Sequence, residues 1–295
     1  MSISTTTERE IRSQPEVWAR AVALAPRSAR VLGSPGERVL LLGCGTSAFV
    51  AESLAVLRER AGQGVTDAAY ASEWTPGRAY DRVVVISRSG TTSEVLEALA
   101  RVPAGTVRAA VVGVASSPVA AAADETLVLD FANEESVVQT RFPTSVLALA
   151  RSGFGEDLGP VLQRVAAVLA APLPVAPARF EHFVFLGRSW SYGLAQEAAL
   201  KIREAAQAWS ESYPALDYRH GPVAVAGETS LVTLFGELEP ALVADVERTG
   251  ATVVHEDVDP LIQLVQAQRL AVELAIGRGL DADAPRHLTR SVVLG

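Results

Sequence analysis

Lysine is almost missing from this chain. Of the 26 residues that are lysine or arginine, Lys201 alone is lysine and the other 25 are arginine. A general drift toward arginine explains the rarity but not the position of the survivor. The stretch "EAALKIREA", Glu197 to Ala205, sets Lys201 one helical turn from Glu197 and from Glu204. A site that needs a compact ammonium rather than a rigid guanidinium fork explains both the rarity and the place.

Other absences narrow the function classes. Cys44 is the single cysteine, which excludes an internal disulfide and any multi-cysteine metal site. The four histidines, His182, His220, His255 and His287, show no metal-binding pair spacing, so neither a metal nor a cofactor is expected. No run approaches the roughly 18 to 20 uninterrupted apolar residues of a membrane span. The start, "MSISTTTEREIRSQPEVW", is polar and has no signal-peptide core, so a cytoplasmic protein without a membrane partner is expected. A formal charge of −8 and a pI near 5.2 argue against nucleic acid as a partner, because such binding needs a basic face to displace counterions. A phosphorylated small molecule remains compatible, since backbone N–H groups and hydroxyls bind it locally.

The 295 residues, 49% hydrophobic and 20% charged, suit a globule of one large α/β domain or two domains of about 120 to 150 residues. Two segments favour the second option. "RVLLLGCGTSAFVAESLAVLRER" (from Arg38) and "HFVFLGRSWSYGLAQEAALKIRE" (from His182) each read as a buried strand, Leu-Gly, a polar turn and a helix. Gly43 and Gly187, Ser47 and Ser191, and Ala51 and Ala195 align at an offset of 144 residues, the mark of a duplicated domain. Further strands are expected at Val83 to Ile86, in "VRAAVVG", in "TSLVTLF" and in "ATVVHED", alternating with helical segments. This alternation predicts βαβ units and parallel sheets buried on both faces, in two tandem doubly wound α/β domains.

The expected organisation is a helical segment over 1–34, a first domain over 35–170, a proline-rich linker over 171–180, a second domain over 181–280 and a tail over 281–295. "DPLIQLVQAQRLAVELAIGRG" is read as a long amphipathic helix ending at Gly279, and the tail as a loop.

Two polar loops carry the first chemical signal. "SRSGTT", Ser87 to Thr92, falls between a buried strand and a helix, and "GCGTS", Gly43 to Ser47, holds the same position after the preceding apolar strand. There hydroxyls and the donors of a helix N-terminus converge, and the dipole favours an anion. The competing reading is that these residues only cap helices. Two such loops, with four Ser/Thr in six residues of one of them, favour phosphate. Neither a dinucleotide fingerprint nor a nucleotide P-loop is present.

The second signal is the row Glu197, Lys201 and Glu204, which i, i+4, i+7 spacing places on one helix face. The plain alternative is an exposed pair worth about 0.2 to 0.5 kcal/mol. The apolar neighbours Ala198, Leu200, Ile202 and Ala205 instead predict a charged row facing a cleft or a partner. A carboxylate beside a cation can stay ionised yet carry a proton, which suits Glu204 to general acid-base work. Histidine as a residue type suits proton transfer near neutrality, which makes His220 a candidate, with a surface or capping role before Gly-Pro as the alternative. His182, His255 and His287 are read as structural, and Cys44 as a packed small residue. Glu134 and Glu135 precede "SVVQTR", a loop expected to border the ligand, with Gln139 and Thr140 as weaker candidates.

Taken together, "EIRSQPEV", "GCGTS", "ASEW", "SRSGTT", "ESVVQTR", "EAALKIRE", "YRHGP" and "DAPRHLTRSV" resemble the sugar-isomerase (SIS) family nearly end to end. The closest resemblance is to the two-SIS-domain isomerase half of glucosamine-6-phosphate synthases and to amino-sugar-phosphate deaminase/isomerases. No glutaminase domain is matched, so nitrogen transfer from glutamine is not expected. The resemblance implies phosphate contacts from Ser47, Ser87, Arg88, Ser89 and Thr92, with arginine at position 88 where the synthases have glutamine. Gly45, Thr46, Glu197, Gln139 and Thr289 are expected to bind the rest of the substrate. It further implies Glu204 as the base between C1 and C2, Lys201 as its neighbour, and His220 as the ring-opening group. His220 would be donated across a homodimer interface with shared active sites. Thr289 and Arg290 match a tail that closes over the sugar. The synthases carry an imine-forming lysine at the Arg290 position, and arginine keeps its proton and forms no Schiff base.

Three functions follow as expectations. The first is a phosphosugar isomerase or deaminase acting on an amino-sugar or ketose 6-phosphate. The second is a lyase or dehydratase that begins with the same proton abstraction from an N-acetylated sugar phosphate, where Arg290 would stabilise developing charge. The third is a sugar-phosphate sensor without turnover, against which an intact Glu204 argues.

Overall fold

The computed structural model describes residues 5–237 and 239–294. Residues 1–4 of the expected N-terminal segment, Leu238 of the expected second domain and Gly295 of the expected tail lie outside the described residues. Three short helices, α1 (Thr6–Arg12), α2 (Gln14–Ala23) and α3 (Ser28–Leu32), precede β1 (Val39–Gly43) and α4 (Thr46–Arg60). There follow β2 (Thr66–Tyr70), β3 (Arg82–Ser87), α5 (Ser93–Ala100), β4 (Val107–Val112), α6 (Pro118–Ala122), β5 (Glu125–Val128), α7 (Arg141–Gly153) and α8 (Gly159–Ala170). The second series is β6 (His182–Gly187), α9 (Ser191–Ala206), β7 (Trp209–Pro214), β8 (Ser230–Phe235), α10 (Pro240–Glu247), β9 (Thr252–His255) and α11 (Pro260–Gly277). Residues 281–294 contain neither helix nor strand, as the aperiodic tail predicts.

The chain is α/β with two wholly parallel sheets, ordered β2-β1-β3-β4-β5 and β7-β6-β8-β9. Each sheet sits in its own compact unit. One unit comprises Ser13–Leu162 with residues 289–294, the other residues 5–12 with Gln163–Leu288. The division falls at Leu162/Gln163, inside α8, upstream of the proline-rich 171–180 segment. Arg269 on α11 donates to the carbonyls of Val168 (2.8 Å) and Ala171 (2.7 Å), which ties the start of that segment into the second unit.

Apolar runs become buried strands because helices cover both sheet faces. In the first unit Leu40, Leu42, Val83, Val85, Ala110 and Val112 pack with Val95 and Leu99 of α5; in the second Val184, Leu186, Val232 and Leu234 pack with Leu242 and Val246 of α10. The repeat seen in sequence has a steric basis. A Cβ on Gly43 would stand 2.4 Å from the Ser47 carbonyl carbon, and one on Gly187 would stand 2.3 Å from the Ser191 carbonyl oxygen. Both strands thus run directly against the first turn of the following helix, and only glycine fits.

Within the second unit the segment after α11 returns to α1. Asp283 accepts from the Thr6 N–H (2.6 Å), the Thr7 N–H (2.8 Å) and the Thr7 hydroxyl (2.7 Å). Partial burial raises the Asp283 pKa, but the Thr7 and Thr6 donors outweigh it and hold the carboxyl below its usual range. A depressed pKa stabilises above the unfolded value of about 3.9, and that contribution is lost as pH falls through the folded value. Asp283→Ala is expected to cost about 1 kcal/mol at neutral pH, the worth of a helix cap. Unchanged urea midpoints for mutant and wild type at pH 7 would contradict this.

Candidate functional site

The sheet orders place a switch point between β1 and β3, where the chain turns to opposite sides of the sheet and leaves a crevice beyond the carboxyl ends of the strands. The two loops singled out from sequence flank it. Gly45 takes φ 52° at the N-cap of α4, which puts Thr46 and Ser47 in the first turn of that helix, both buried. Ser87 and Ser89 are buried as well. Their hydroxyls accept the N–H groups of Gly90 (3.1 Å) and Thr91 (3.2 Å), which leaves each O–H proton to donate elsewhere. Thr92 is the N-cap residue of α5, yet its side chain makes no capping bond. The loop hydroxyls are therefore not merely helix caps, and they suit an anion with several acceptor oxygens.

The corresponding switch point between β6 and β8 is chemically different. There the Gly236 N–H is taken by Gln263 Oε1 (2.9 Å), while Gln263 Nε2 donates to the carbonyls of Leu234 and Glu256. A fixed amide closes that position, so the repeat extends to backbone topology but not to an anion cradle.

Arg88 takes a course that sequence did not indicate. Its side chain is 1% exposed and turns away from water. Nη1 donates to the carbonyls of Ser136 (2.8 Å) and Val137 (3.3 Å), Nη2 donates to the carbonyl of Arg290 (2.8 Å), and Glu134 Oε2 lies 3.8 Å from Nη1. Glu134 Oε1 accepts from the Thr140 hydroxyl (2.8 Å) and from the N–H groups of Thr140 (2.5 Å) and Arg141 (2.7 Å), which anchors the first turn of α7. Thr140 is thereby committed to Glu134. Gln139 Oε1, by contrast, is shielded from solvent with no hydrogen-bond donor among the described residues.

The tail residues lie against the same loops. Arg290 donates from Nε and Nη2 to the Glu134 carbonyl (3.1 and 2.8 Å) and from Nη2 to Asn133 Oδ1 (2.7 Å). The Thr289 hydroxyl donates to the Ser291 carbonyl. Asn133 was missed in sequence, where a lone asparagine before two glutamates gives no periodic or motif signal.

In the second unit the row on α9 is more deeply buried than the expected cleft-facing row. The side chains of Glu197 and Lys201 are each 1% exposed, whereas Glu204 keeps 18%. Lys201 Nζ stands 3.0 Å from Glu197 Oε1 and 2.6 Å from Glu204 Oε2. Burial alone would lower the Lys201 pKa, but the charges of Glu197 and Glu204 and their hydrogen bonds outweigh it and hold it above lysine's ordinary value. The result is a fixed ammonium between two carboxylates, of which only Glu204 reaches solvent. His220 is exposed at the end of a 3-10 turn (Asp217–His220) after β7.

His182, read as structural, joins Ser230 (2.9 Å) and Glu211 (3.4 Å) at the amino end of β6. Burial first, and then Glu94, push the Cys44 thiol above its ordinary value, which disfavours the nucleophilic thiolate. Among the described residues no three His, Cys, Asp or Glu side chains converge as metal ligands would, and no helix is long and apolar enough to cross a membrane.

Known proteins share this fold. Residues 34–150 match the SIS domain model. The glutamine–fructose-6-phosphate aminotransferase [isomerizing] of Bradyrhizobium diazoefficiens is 28% identical in an alignment covering 97% of this chain and 58% of the relative. The chain thus spans little more than half the length of that relative. The crystal structure of glucosamine-6-phosphate deaminase from Thermotoga maritima superposes with a TM-score of 0.84 at 27% identity, covering 98% of this chain and all of the other. Tagatose-6-phosphate ketose/aldose isomerase from Escherichia coli shares the fold, with a TM-score of 0.78 at 20% identity over 99% of this chain and 96% of its own. Residues 34–150 therefore match a SIS domain, and over nearly its whole length the chain is homologous to the isomerase part of the glutamine–fructose-6-phosphate aminotransferases.

Proposed function

We propose that this protein is a phosphosugar isomerase or deaminase that moves a proton between C1 and C2 of an amino-sugar or ketose 6-phosphate. The observation that carries the reading is the Glu197–Lys201–Glu204 row, a buried ammonium that holds one carboxylate at the solvent edge. Glu204 takes the proton alpha to the open-chain carbonyl and returns it at the adjacent carbon. From glucosamine 6-phosphate this step gives an imine at C2, and water then releases ammonia and leaves fructose 6-phosphate. No lysine imine is required, in keeping with arginine at position 290. His220 serves ring opening, and the hydroxyls of Ser47, Ser87, Ser89 and Thr92 hold the phosphate. The full-length similarity to a glucosamine-6-phosphate deaminase supports the same reading. The matching strand order of the second sheet supports taking 181–280 as a second SIS-type domain. Neither elimination nor binding without turnover gains support from the comparisons.

The test is turnover of glucosamine 6-phosphate, fructose 6-phosphate and tagatose 6-phosphate, with ammonia and the aldose/ketose products quantified. Ser89→Ala is expected to raise KM about tenfold with little change in kcat, the loss of one hydrogen bond to a charged acceptor. Absence of turnover with all three sugars, together with an unchanged KM or Kd in Ser89→Ala, would remove the proposal.

A further inference from the structure

We propose that Arg88 is a positioning residue that clasps the C-terminal tail onto the phosphate loop, rather than a phosphate contact. This deepens the proposed function, on whose phosphate reading one arm of the test rests. Three segments of the first unit meet at its guanidinium: the loop 87–92 that carries it, the loop 133–138 through the carbonyls of Ser136 and Val137, and the tail through the Arg290 carbonyl. Arg290 completes the clasp by reaching back to Asn133 and Glu134.

Beyond the bonds of the Arg88 and Arg290 guanidinium groups, what holds the tail among the described residues is weak. Val292, Val293 and Leu294 are 52%, 67% and 58% exposed, so apolar burial contributes little to seating it. Its other bonds to the rest of the unit, among the described residues, are a contact of 3.0 Å between the Ser291 and Thr91 hydroxyls, a Ser93 N–H donation to the Val292 carbonyl (3.2 Å), and a Leu294 N–H donation to the Ser93 hydroxyl (2.9 Å). All three lie at the loop or at the first turn of α5, in reach of water. The bond from Arg88 is different, because its donor is shielded and charged, and such bonds are the strong ones. A guanidinium also has the fork to serve two separate backbone segments at once, which an ammonium lacks. Arginine at position 88 thereby acquires a role that the hydroxyls around it do not share.

Amide hydrogen exchange of the full chain tests this directly, with residues 289–294 as the reporter and the β1 and β3 amides as the control. Arg88→Met is expected to speed tail exchange at least tenfold while leaving the strands protected, and to leave the Kd for inorganic phosphate within about threefold of wild type. Arg88→Lys is expected to fail to restore tail protection. Should the methionine variant not fold, Arg88→Gln, which reaches at most one of the carbonyl groups, serves in its place with the same expectation. Tail exchange unchanged in the folded variants would overturn the proposal. So would a loss of phosphate affinity with the tail still protected, since that is the signature of a direct contact. The exchange readout needs no turnover, so failure of the isomerase reading is distinguishable from failure of the clasp.

Discussion

Glu204→Gln is expected to lower kcat by about 10³-fold, within the range lost when a positioned general base is removed, while substrate still binds with a similar KM. Glutamine keeps the shape and one acceptor oxygen but carries no proton between carbons. Of the three charged side chains on the α9 row, Glu204 alone keeps appreciable contact with water, at 18% exposure against 1% for Glu197 and for Lys201. Only that carboxylate meets an incoming substrate without the row first being opened. Steady-state kinetics on whichever sugar phosphate is turned over decides the matter, and near wild-type kcat in Glu204→Gln would end the proton-transfer assignment.

Lys201→Met is expected to destabilise the second unit by about 3 to 5 kcal/mol, the cost of removing one partner from a buried ion pair. Methionine fills much of the same volume, so the loss comes from charge. Glu197 stays buried without the ammonium that stood 3.0 Å from it, and Glu204 loses a partner at 2.6 Å. The double variant Lys201→Met/Glu197→Gln is expected to recover much of that loss, because the stranded carboxylate is gone. Urea denaturation of the single and double variants checks both statements. Equal stability of Lys201→Met and wild type would show that the buried row is not an ionised cluster. The pH dependence has a definite sign. Because the folded pKa of Lys201 is raised, its contribution is complete below the unfolded value of roughly 10.4 and is lost only as pH rises through the folded value above it. This group adds no pH dependence to stability near neutrality.

The same burial accounts for the lone lysine. The slot between Glu197 and Glu204 lies inside a helix packed by α11 and β6, with Ala198, Ala199 and Ile202 buried beside it. A compact ammonium meets both carboxylates there, whereas a guanidinium would need extra width in a close-packed interior.

Much of the fold was legible because buried parallel strands write themselves as apolar runs. "RVLLLG", "RVVVIS", "HFVFLG" and "SLVTLF" each contain an observed strand, and Gly43 and Gly187 mark the same steric contact. The strands β2, "TDAAY", and β7, "WSESYP", went unread because both are sheet edges with mixed burial, so neither carries a continuous apolar run. The charged row on α9 was legible from spacing, but its depth was not, since burial depends on elements far along the chain. The destination of Arg88 was hidden for the same reason. Its partner carbonyl lies 202 residues away in an aperiodic tail, and backbone acceptors leave no trace in side-chain identity.

Solvent exchange reports proton transfer between C1 and C2 at the reacting carbons themselves. The wild-type protein in deuterated water with glucosamine 6-phosphate, and separately with fructose 6-phosphate, is followed by proton NMR. Deuterium is expected to enter at C1 or C2, with ammonia and fructose 6-phosphate formed from the amino sugar, and that exchange is expected to be lost in Glu204→Gln. A new alkene signal from N-acetylglucosamine 6-phosphate in a parallel sample, with no exchange in the first two, would contradict it and assign elimination instead.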